Sequence, residues 1–314
     1  MKKIPIIVIG GPTASGKTAL SIALAKRFGG CIISADSMQI YQHMDIGSAK
    51  PTEAEREGIR HELMDIVSPL ENFSLADYLV LAHDAIEKAV SRGELPIVIG
   101  GTGLYINSLV DDVCLEESES DPELRKELTK IGEEQGGEVL LRMLREFDPE
   151  SAERLHPNNL RRIVRAIEVY RLTGKTMTEQ MQESRKKPSR YEPLMLAIRW
   201  DMKKLYERIE KRVDIMLGDG LEAEVRMLWD MGCNKHMTSM QGIGYKQFLN
   251  YFHGLTTLSE TVNLIKRDSR RYAKRQMTWF RRDERICWLD AEKNPIDTAI
   301  LLCEDFVLAN FEKV

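Results

Sequence analysis

The sequence predicts an α/β protein: a P-loop parallel sheet core with helices on both faces and an all-helical insertion domain. Three observations carry this prediction. Short β-branched runs alternate with helical segments through the first hundred residues. The stretch 113–189 then shows helical signals only, and the alternation resumes after it. The expected catalytic core is therefore 1–112 together with 190–314.

Taken in order, 4–9 is apolar without alternation, as in a strand buried on both faces. Leu20, Leu24 and Phe28 recur at helical spacing and mark 17–28 as a helix. Segments 31–35 and 62–67 are read as the next two strands. Ser74 and Asp77 form a capping pair that opens a helix, and Gly93 stops it. A further buried strand, 95–99, runs into Gly100-Gly101-Thr102-Gly103. In the insertion, Asp121-Pro122 and Asp148-Pro149 each put a capping Asp before a Pro suited to a first helical turn. Asn158 and Asn159 precede a helix over 161–172 that Gly174 closes. Beyond it, 194–200 reads as a strand, 203–217, 221–231 and 258–282 as helices, and 286–289 as the last strand. A helix follows Pro295. Tyr272, Trp279 and Phe280 recur at helical spacing and are read as core rather than as a base-stacking surface.

Composition narrows the class. The 314 residues are 43% hydrophobic and 30% charged, as in an ordinary globular protein. No apolar run approaches the roughly 20 residues that a membrane span requires, and 4–9 is too short for a signal segment. A cytoplasmic monomer with no membrane partner is expected. The five cysteines are scattered and contain no CxxC, which argues against a disulfide framework or a zinc site. The six histidines show no metal spacing. A net charge of -4 counts mildly against a nucleic-acid partner, but the distribution is uneven. Lys and Arg concentrate in 161–190 and 266–285, while acids dominate 116–134. Phosphate attraction acts through such local patches.

Gly11-Pro12-Thr13-Ala14-Ser15-Gly16-Lys17-Thr18 fits G-x-x-x-x-G-K-[ST] at every fixed position, after a strand and at the start of a helix. Loop N–H groups and the helix N-terminus make an anion site, Lys17 adds a point charge, and the Thr18 hydroxyl is placed to ligate Mg²⁺. The motif does not say which phosphate compound binds. Nucleotide-using relatives of the motif carry an acid at the end of another strand, whereas 95–99 ends in glycines. Asp36 is the strand-end acid in the right setting, because groups at the carboxyl ends of parallel strands face the ligand crevice. Taken alone, it is equally a cap or turn residue. A P-loop small-molecule kinase and a non-enzymatic RNA-binding ATPase remain open on these residues.

Further motifs run through the chain: Ser34-Ala35-Asp36-Ser37 with Gln39-Ile40-Tyr41, and Met44-Asp45-Ile46-Gly47-Ser48-Ala49-Lys50-Pro51. Then come Gly100-Gly101-Thr102-Gly103-Leu104-Tyr105, His156-Pro157-Asn158, Arg162 with Arg165-Ala166, and Arg208-Ile209-Glu210 with Arg212. Glu222-Ala223-Glu224-Val225, Gly244-Tyr245 and Ala273-Lys274-Arg275-Gln276 with Thr278-Trp279 complete the set. Together with the P-loop, this ordered series closely resembles the tRNA dimethylallyltransferases (tRNA isopentenyltransferases), from residue 4 to about residue 290. The turn Gln241-Gly242-Ile243 departs slightly from the family pattern. The zinc finger of eukaryotic relatives is missing, which implies a bacterial-type enzyme.

The resemblance implies transfer of a dimethylallyl group from dimethylallyl diphosphate to N6 of adenine 37 in the anticodon stem-loop of tRNA. The products would be N6-(dimethylallyl)adenosine and diphosphate, without ATP. It implies that the diphosphate occupies the P-loop, Gly11 to Thr18, with Arg212 beside it and Mg²⁺ on Thr18. Lys17, Thr18 and Arg212 would favour diphosphate departure, and Asp36 would orient the adenine amine and accept its proton. Without the resemblance, Arg212 reads as a solvated residue flanking the stripe of Leu205, Ile209, Val213 and Met216. The tRNA contacts implied are Asp36, Ser37, Met38 and Gln39, Thr102, Arg125, and Arg161, Arg162, Ile163, Val164 and Arg165. Gln241, Gly242, Ile243, Gly244, Tyr245 and Lys246 complete them. A nearer rival, prenylation of free adenine nucleotides, is disfavoured by the helical insertion with its arginines.

Overall fold

Ile6, Ile7, Val8 and Ile9 are fully buried at the centre of a six-stranded sheet in which every strand pairing is parallel. The computed structural model describes residues 3–114 and 121–311. Residues 1–2, 115–120 and 312–314, which include the start of the acidic stretch and both ends of the expected core, lie outside the described residues. The chain divides into two compact units, Met1–Val110 with Arg190–Val314, and Asp111–Ser189.

The first unit begins with β1 (Ile4–Gly10), α1 (Lys17–Phe28), β2 (Gly30–Ser34) and the short α2 (Glu53–Arg56). It continues through β3 (His61–Glu62), α3 (Leu75–Ser91), β4 (Leu95–Ile99) and α4 (Gly103–Val110). Ser74 caps α3 reciprocally with Asp77, as its spacing predicts. The third strand is far shorter than the expected 62–67. Leu63 and Asp65 take positive φ, 63° and 58°, which breaks the ladder, and Asp65 pairs instead with the buried ammonium of Lys50.

The second unit is wholly helical among its described residues. It comprises α5 (Pro122–Gln135), α6 (Gly137–Arg145), α7 (Pro149–Arg154), α8 (Leu160–Thr173) and α9 (Met177–Lys186). Asp121 and Asp148 accept hydrogen bonds from the first-turn amides of α5 and α7, each ahead of its Pro. Leu128, Leu140, Leu141, Leu144, Ile163 and Ile167 form the unit's own core.

The chain then returns to the sheet with β5 (Tyr191–Arg199), followed by α10 (Met202–Gly218), α11 (Leu221–Asp230), α12 (Tyr245–Phe252) and α13 (Leu258–Phe280). β6 (Ile286–Asp290) and α14 (Pro295–Phe311) close it. β5 starts three residues earlier than its apolar pattern suggests. Pro193 is tolerated there because β6 joins β5 only from Met195 onward.

The strand order β3-β2-β4-β1-β5-β6 brings the ends of β1, β2, β4 and β5 side by side. On one face Ile7, Ile9, Ile97 and Ile198 meet Leu20 and Leu24 of α1 and Ala299 of α14. Helices α3 and α4 cover the other face. At the carboxyl edge the strands stay joined beyond their ladders: the Ala35 amide donates to Ile99 O (2.7 Å) and the Gly100 amide to Ile9 O (3.1 Å). The loops that carry chemistry leave from this edge.

Candidate active site

The P-loop leaves β1 through Gly11 at φ 132°, turns at Ala14 with φ 61°, and enters α1 through Gly16 at φ 98°. Positive φ at Gly11 and Gly16 is why the motif needs glycine there. Side chains from later elements hold the loop's outer carbonyls. Trp200 Nε1 donates to Ser15 O (2.8 Å), and Arg208 Nε donates to Ala14 O (2.9 Å) while its guanidinium lies 4.4 Å from the Trp200 ring. Gly11, Pro12 and Ser15 are buried, and of the loop Thr13, Lys17 and Thr18 line the cleft.

Lys17, Thr18, Asp36 and Arg212 line one cleft of about 420 Å³, a size suited to a small ligand. Lys17 Nζ donates to Pro12 O (2.7 Å) and Arg212 Nη1 to Thr13 Oγ1 (3.2 Å). Neither cation has a carboxylate within ion-pair distance among the described residues. Burial, with the Arg212 charge nearby, lowers the Lys17 ammonium to about 8 against the opposing pull of Asp36. Burial likewise lowers Arg212, opposed by Asp36 and Glu55. Two desolvated cations facing one open cleft form a site for a strongly anionic group. The solvated-face reading of Arg212 is thereby corrected: the guanidinium is half-buried and turned to the loop.

Asp36 leaves the end of β2. Its Oδ1 accepts from the Met38 amide (2.8 Å), so part of its capacity serves a turn while the carboxylate still lines the cleft. The Ser37 amide donates to Thr102 Oγ1 (3.4 Å), which ties this turn to the end of β4. Ser34 Oγ donates to Gln39 Oε1 (3.0 Å). Ser37, Met38, Gln39, Gln241, Gly242, Ile243, Gly244 and Lys246 all reach the same cleft. Met38 packs directly on Gly242, where an added Cβ would sit 2.8 Å from the sulfur. Tyr245 points away: it is fully buried, and its hydroxyl donates to Glu224 Oε1 (2.7 Å). Its side chain therefore braces the site and offers no surface to a partner.

Arg125, Arg161, Arg162, Ile163, Val164 and Arg165 belong to the second unit. The implied contacts from Ile163 and Val164 need correction, because both side chains are buried in that unit's core on the inner face of α8. Arg161 and Arg162 are exposed. Arg125 and Arg165 both bond Glu168, which is fully buried, at 2.7 Å each.

Several residues with a part in the site carried no role in the sequence reading. Glu224 is buried and accepts from the amides of Asp45 (2.8 Å), Ile46 (2.7 Å) and Gly47 (3.0 Å), fixing that loop beside the cleft. Gln276 of α13 accepts from the Thr13 amide (3.0 Å) and donates to Gly101 O (2.8 Å). Tyr272 lines the cleft, and burial with the Asp36 charge raises its phenol to about 12. Of the three aromatics read as core, Phe280 is core, Trp279 is partly exposed over Gly103, and Tyr272 faces the cleft. The available signal was polar Gln276 within the buried α13 series Ile265, Ala273, Met277 and Phe280.

Mg²⁺ binds through few protein ligands plus water and phosphate oxygens. The Thr18 hydroxyl, exposed to the cleft beside Lys17, fits that mode. Among the described residues no cluster of three or more His, Cys, Asp or Glu stands ready to hold a metal. No helix among them is long and apolar enough to cross a membrane.

Comparison with known proteins gives a consistent result. The family model described as IPP transferase matches residues 39–283. A tRNA dimethylallyltransferase of Acetivibrio thermocellus is 51% identical over 306 residues, covering 98% of each chain. One from Lachnoclostridium phytofermentans is 44% identical over 297 residues, 95% of each. Among solved structures, a full-length tRNA isopentenylpyrophosphate transferase from Bacillus halodurans superposes with a TM-score of 0.73 at 40% identity, over 99% of this chain and 98% of that one. A eukaryotic dimethylallyltransferase described as acting on tRNA gives 0.84 at 31% identity, over 98% of this chain and 80% of that one.

Proposed function

The chain belongs to the IPP transferase family, and from that premise we propose how its cleft transfers a dimethylallyl group to tRNA. The donor is dimethylallyl diphosphate and the acceptor is N6 of adenine 37 in the anticodon stem-loop. One observation carries this reading: a carboxylate, Asp36, shares a cleft with two desolvated cations, Lys17 and Arg212, neither of which has a carboxylate within ion-pair distance among the described residues.

The diphosphate sits on the P-loop amides with Lys17 and Arg212 against its oxygens. An exocyclic adenine amine is a weak nucleophile, so the electrophilic carbon must be activated through its leaving group. As the C1–O bond breaks, negative charge grows on the diphosphate where both cations already point. The N6–C1 bond forms, and the amine proton passes to the Asp36 carboxylate, which holds the amine in line. The Thr18 hydroxyl would hold Mg²⁺, whose charge would further stabilise the departing diphosphate. Exposed Arg161 and Arg162 of α8 contribute contacts to tRNA phosphates.

Incubation with dimethylallyl diphosphate labelled in the allyl carbons and total tRNA, followed by nucleoside analysis, tests the reading. Label is expected in N6-(dimethylallyl)adenosine. Label found in free adenine nucleotides and absent from RNA would overturn the tRNA acceptor. Transfer of γ-phosphate label from ATP to a small molecule would overturn prenyl transfer itself.

A further inference from the structure

Gln276 joins two loops that the sequence separates widely. Its Oε1 accepts the Thr13 amide proton across 263 residues, and its Nε2 donates to the Gly101 carbonyl across 175 residues. The side chain is 5% exposed. Its orientation is fixed by its partners, since a peptide N–H only donates and a carbonyl only accepts. Gly101 is required by the same arrangement, because a Cβ there would overlap the Gln276 amide nitrogen.

Each bond sits one step from the chemistry. Thr13, whose peptide plane Gln276 holds, is the residue whose hydroxyl accepts from Arg212 (3.2 Å). Gly101 precedes Thr102, whose hydroxyl accepts from the Ser37 amide beside Asp36 (3.4 Å). One amide thus bonds both the loop whose Thr13 hydroxyl holds Arg212 and the segment that leads to the turn carrying Asp36. We propose that Gln276 is a positioning residue that couples the two halves of the site, holding Arg212 through Thr13 and Asp36 through Gly101–Thr102. This deepens the reading of the cleft as a prenyl-transfer site and rests on it.

The bridge demands an acceptor and a donor at fixed spacing. An ionised Glu is acceptor-only and would oppose the Gly101 carbonyl, whereas a protonated Glu restores both bonds. Gln276→Glu therefore makes the bridge switchable by pH. The charged and titratable groups lining the cleft are Lys17 of α1, Asp36 after β2, His61 of β3, Arg212 of α10, Lys246 of α12, and Tyr272 and Arg275 on α13. All are present in the wild type as well, so the variant-to-wild-type ratio at each pH isolates position 276.

Two readouts are compared between pH 5.5 and 8: kcat and KM for prenyl transfer, and the calorimetric affinity for inorganic diphosphate. Gln276→Glu is expected to fall about tenfold or more below wild type at pH 8 in both, and to recover as the pH drops. Gln276→Leu is expected to be impaired at every pH without recovery. A flat Gln276→Glu ratio, or Gln276→Leu with wild-type kcat, would overturn the proposal. Should both variants fail to fold, Thr13→Val, at a partly exposed position, carries the test. It is expected to raise KM for the donor and weaken diphosphate binding, and wild-type values for both would overturn the Arg212 arm of the coupling. Diphosphate binding is read without RNA, so a protein that bound diphosphate but prenylated no tRNA would sink the functional reading while the bridge is still tested.

Discussion

Arg212 and Arg165 each lie on a helix beside an apolar stripe, yet what neutralises them is opposite. Arg165, together with Arg125, bonds a fully buried carboxylate, Glu168, at 2.7 Å. Among the described residues Arg212 bonds only a hydroxyl, and Lys17 beside it only a carbonyl. A desolvated cation without a carboxylate is costly to fold. It persists where an anion is to be received. A cation on a buried carboxylate is part of the scaffold, because the acid could not be buried without it. The contrast separates ligand-seeking charge from structural charge within one protein, and it moves Arg125 and Arg165 toward structure and leaves Arg161 and Arg162, with Arg171 further along, as the α8 cations that pair with no carboxylate among the described residues.

The largest expected effect lies at the carboxylate facing the unpaired cations. Asp36→Ala should lower turnover by about 10²–10⁴, the range for a positioned proton acceptor. Diphosphate affinity should hold or tighten, since an opposing negative charge is removed. If Asp36 were only a counter-ion for Lys17 and Arg212, turnover would stay at the wild-type level. Next, Arg212→Ala should lower kcat/KM for the donor by about 10²–10³ without lowering Tm. A lower Tm with unchanged kinetics would place Arg212 with Arg165, and the distinction would collapse.

Glu168→Ala should show the reverse pattern. It removes a buried acceptor from two arginines and from the Asp121 amide, and unfolding should come about 1–3 kcal/mol earlier with donor kinetics unchanged. Burial pushes the Glu168 carboxyl up, but hydrogen bonds from Arg165, Arg125 and the Asp121 amide outweigh it and hold it below its ordinary value. Its contribution is therefore fully present above about pH 4.3, the unfolded value, and is lost as pH falls through the lower folded value. Acid titration of wild type against Glu168→Ala should narrow the stability gap below that pH. A gap that stays constant would show the pairing contributes nothing.

The same contrast explains what could be read from sequence. The P-loop is legible because its work is done by the backbone of eight consecutive residues with glycines where φ must be positive. Asp36 is legible from its place after a buried strand. The caps Ser74, Asp121 and Asp148 are local and were legible too. Glu224 and Gln276 act on partners roughly two hundred residues away, and no local spacing encodes that. The brief helices α4 and α12 went unread because each has only eight residues and opens at or just after a glycine, too short a window for a helical period. Ile163 and Val164 illustrate the opposite hazard: a motif implies a contact for a whole segment, while helical geometry turns its apolar members inward.

The smallest expected effect tests the division within α8 itself. Each phosphate that a cation neutralises releases condensed counterions and steepens the fall of affinity with salt by about 0.7–0.9. Arg161 and Arg162 are exposed and unpaired among the described residues, so replacing both by Gln should reduce that slope for tRNA by about 1–2. Arg125→Gln should leave the slope nearly unchanged, because its guanidinium is already committed to Glu168. The comparison is best made at fixed temperature over 50–200 mM salt, about the range where the counterion term dominates, with diphosphate affinity measured alongside as a control for folding. Equal reductions from Arg125→Gln and from the double variant would mean that pairing to a buried acid does not withdraw an arginine from RNA. In that case Glu168 would have to be seen as orienting Arg125 and Arg165 toward phosphate, with its buried charge fixing where their remaining donors point.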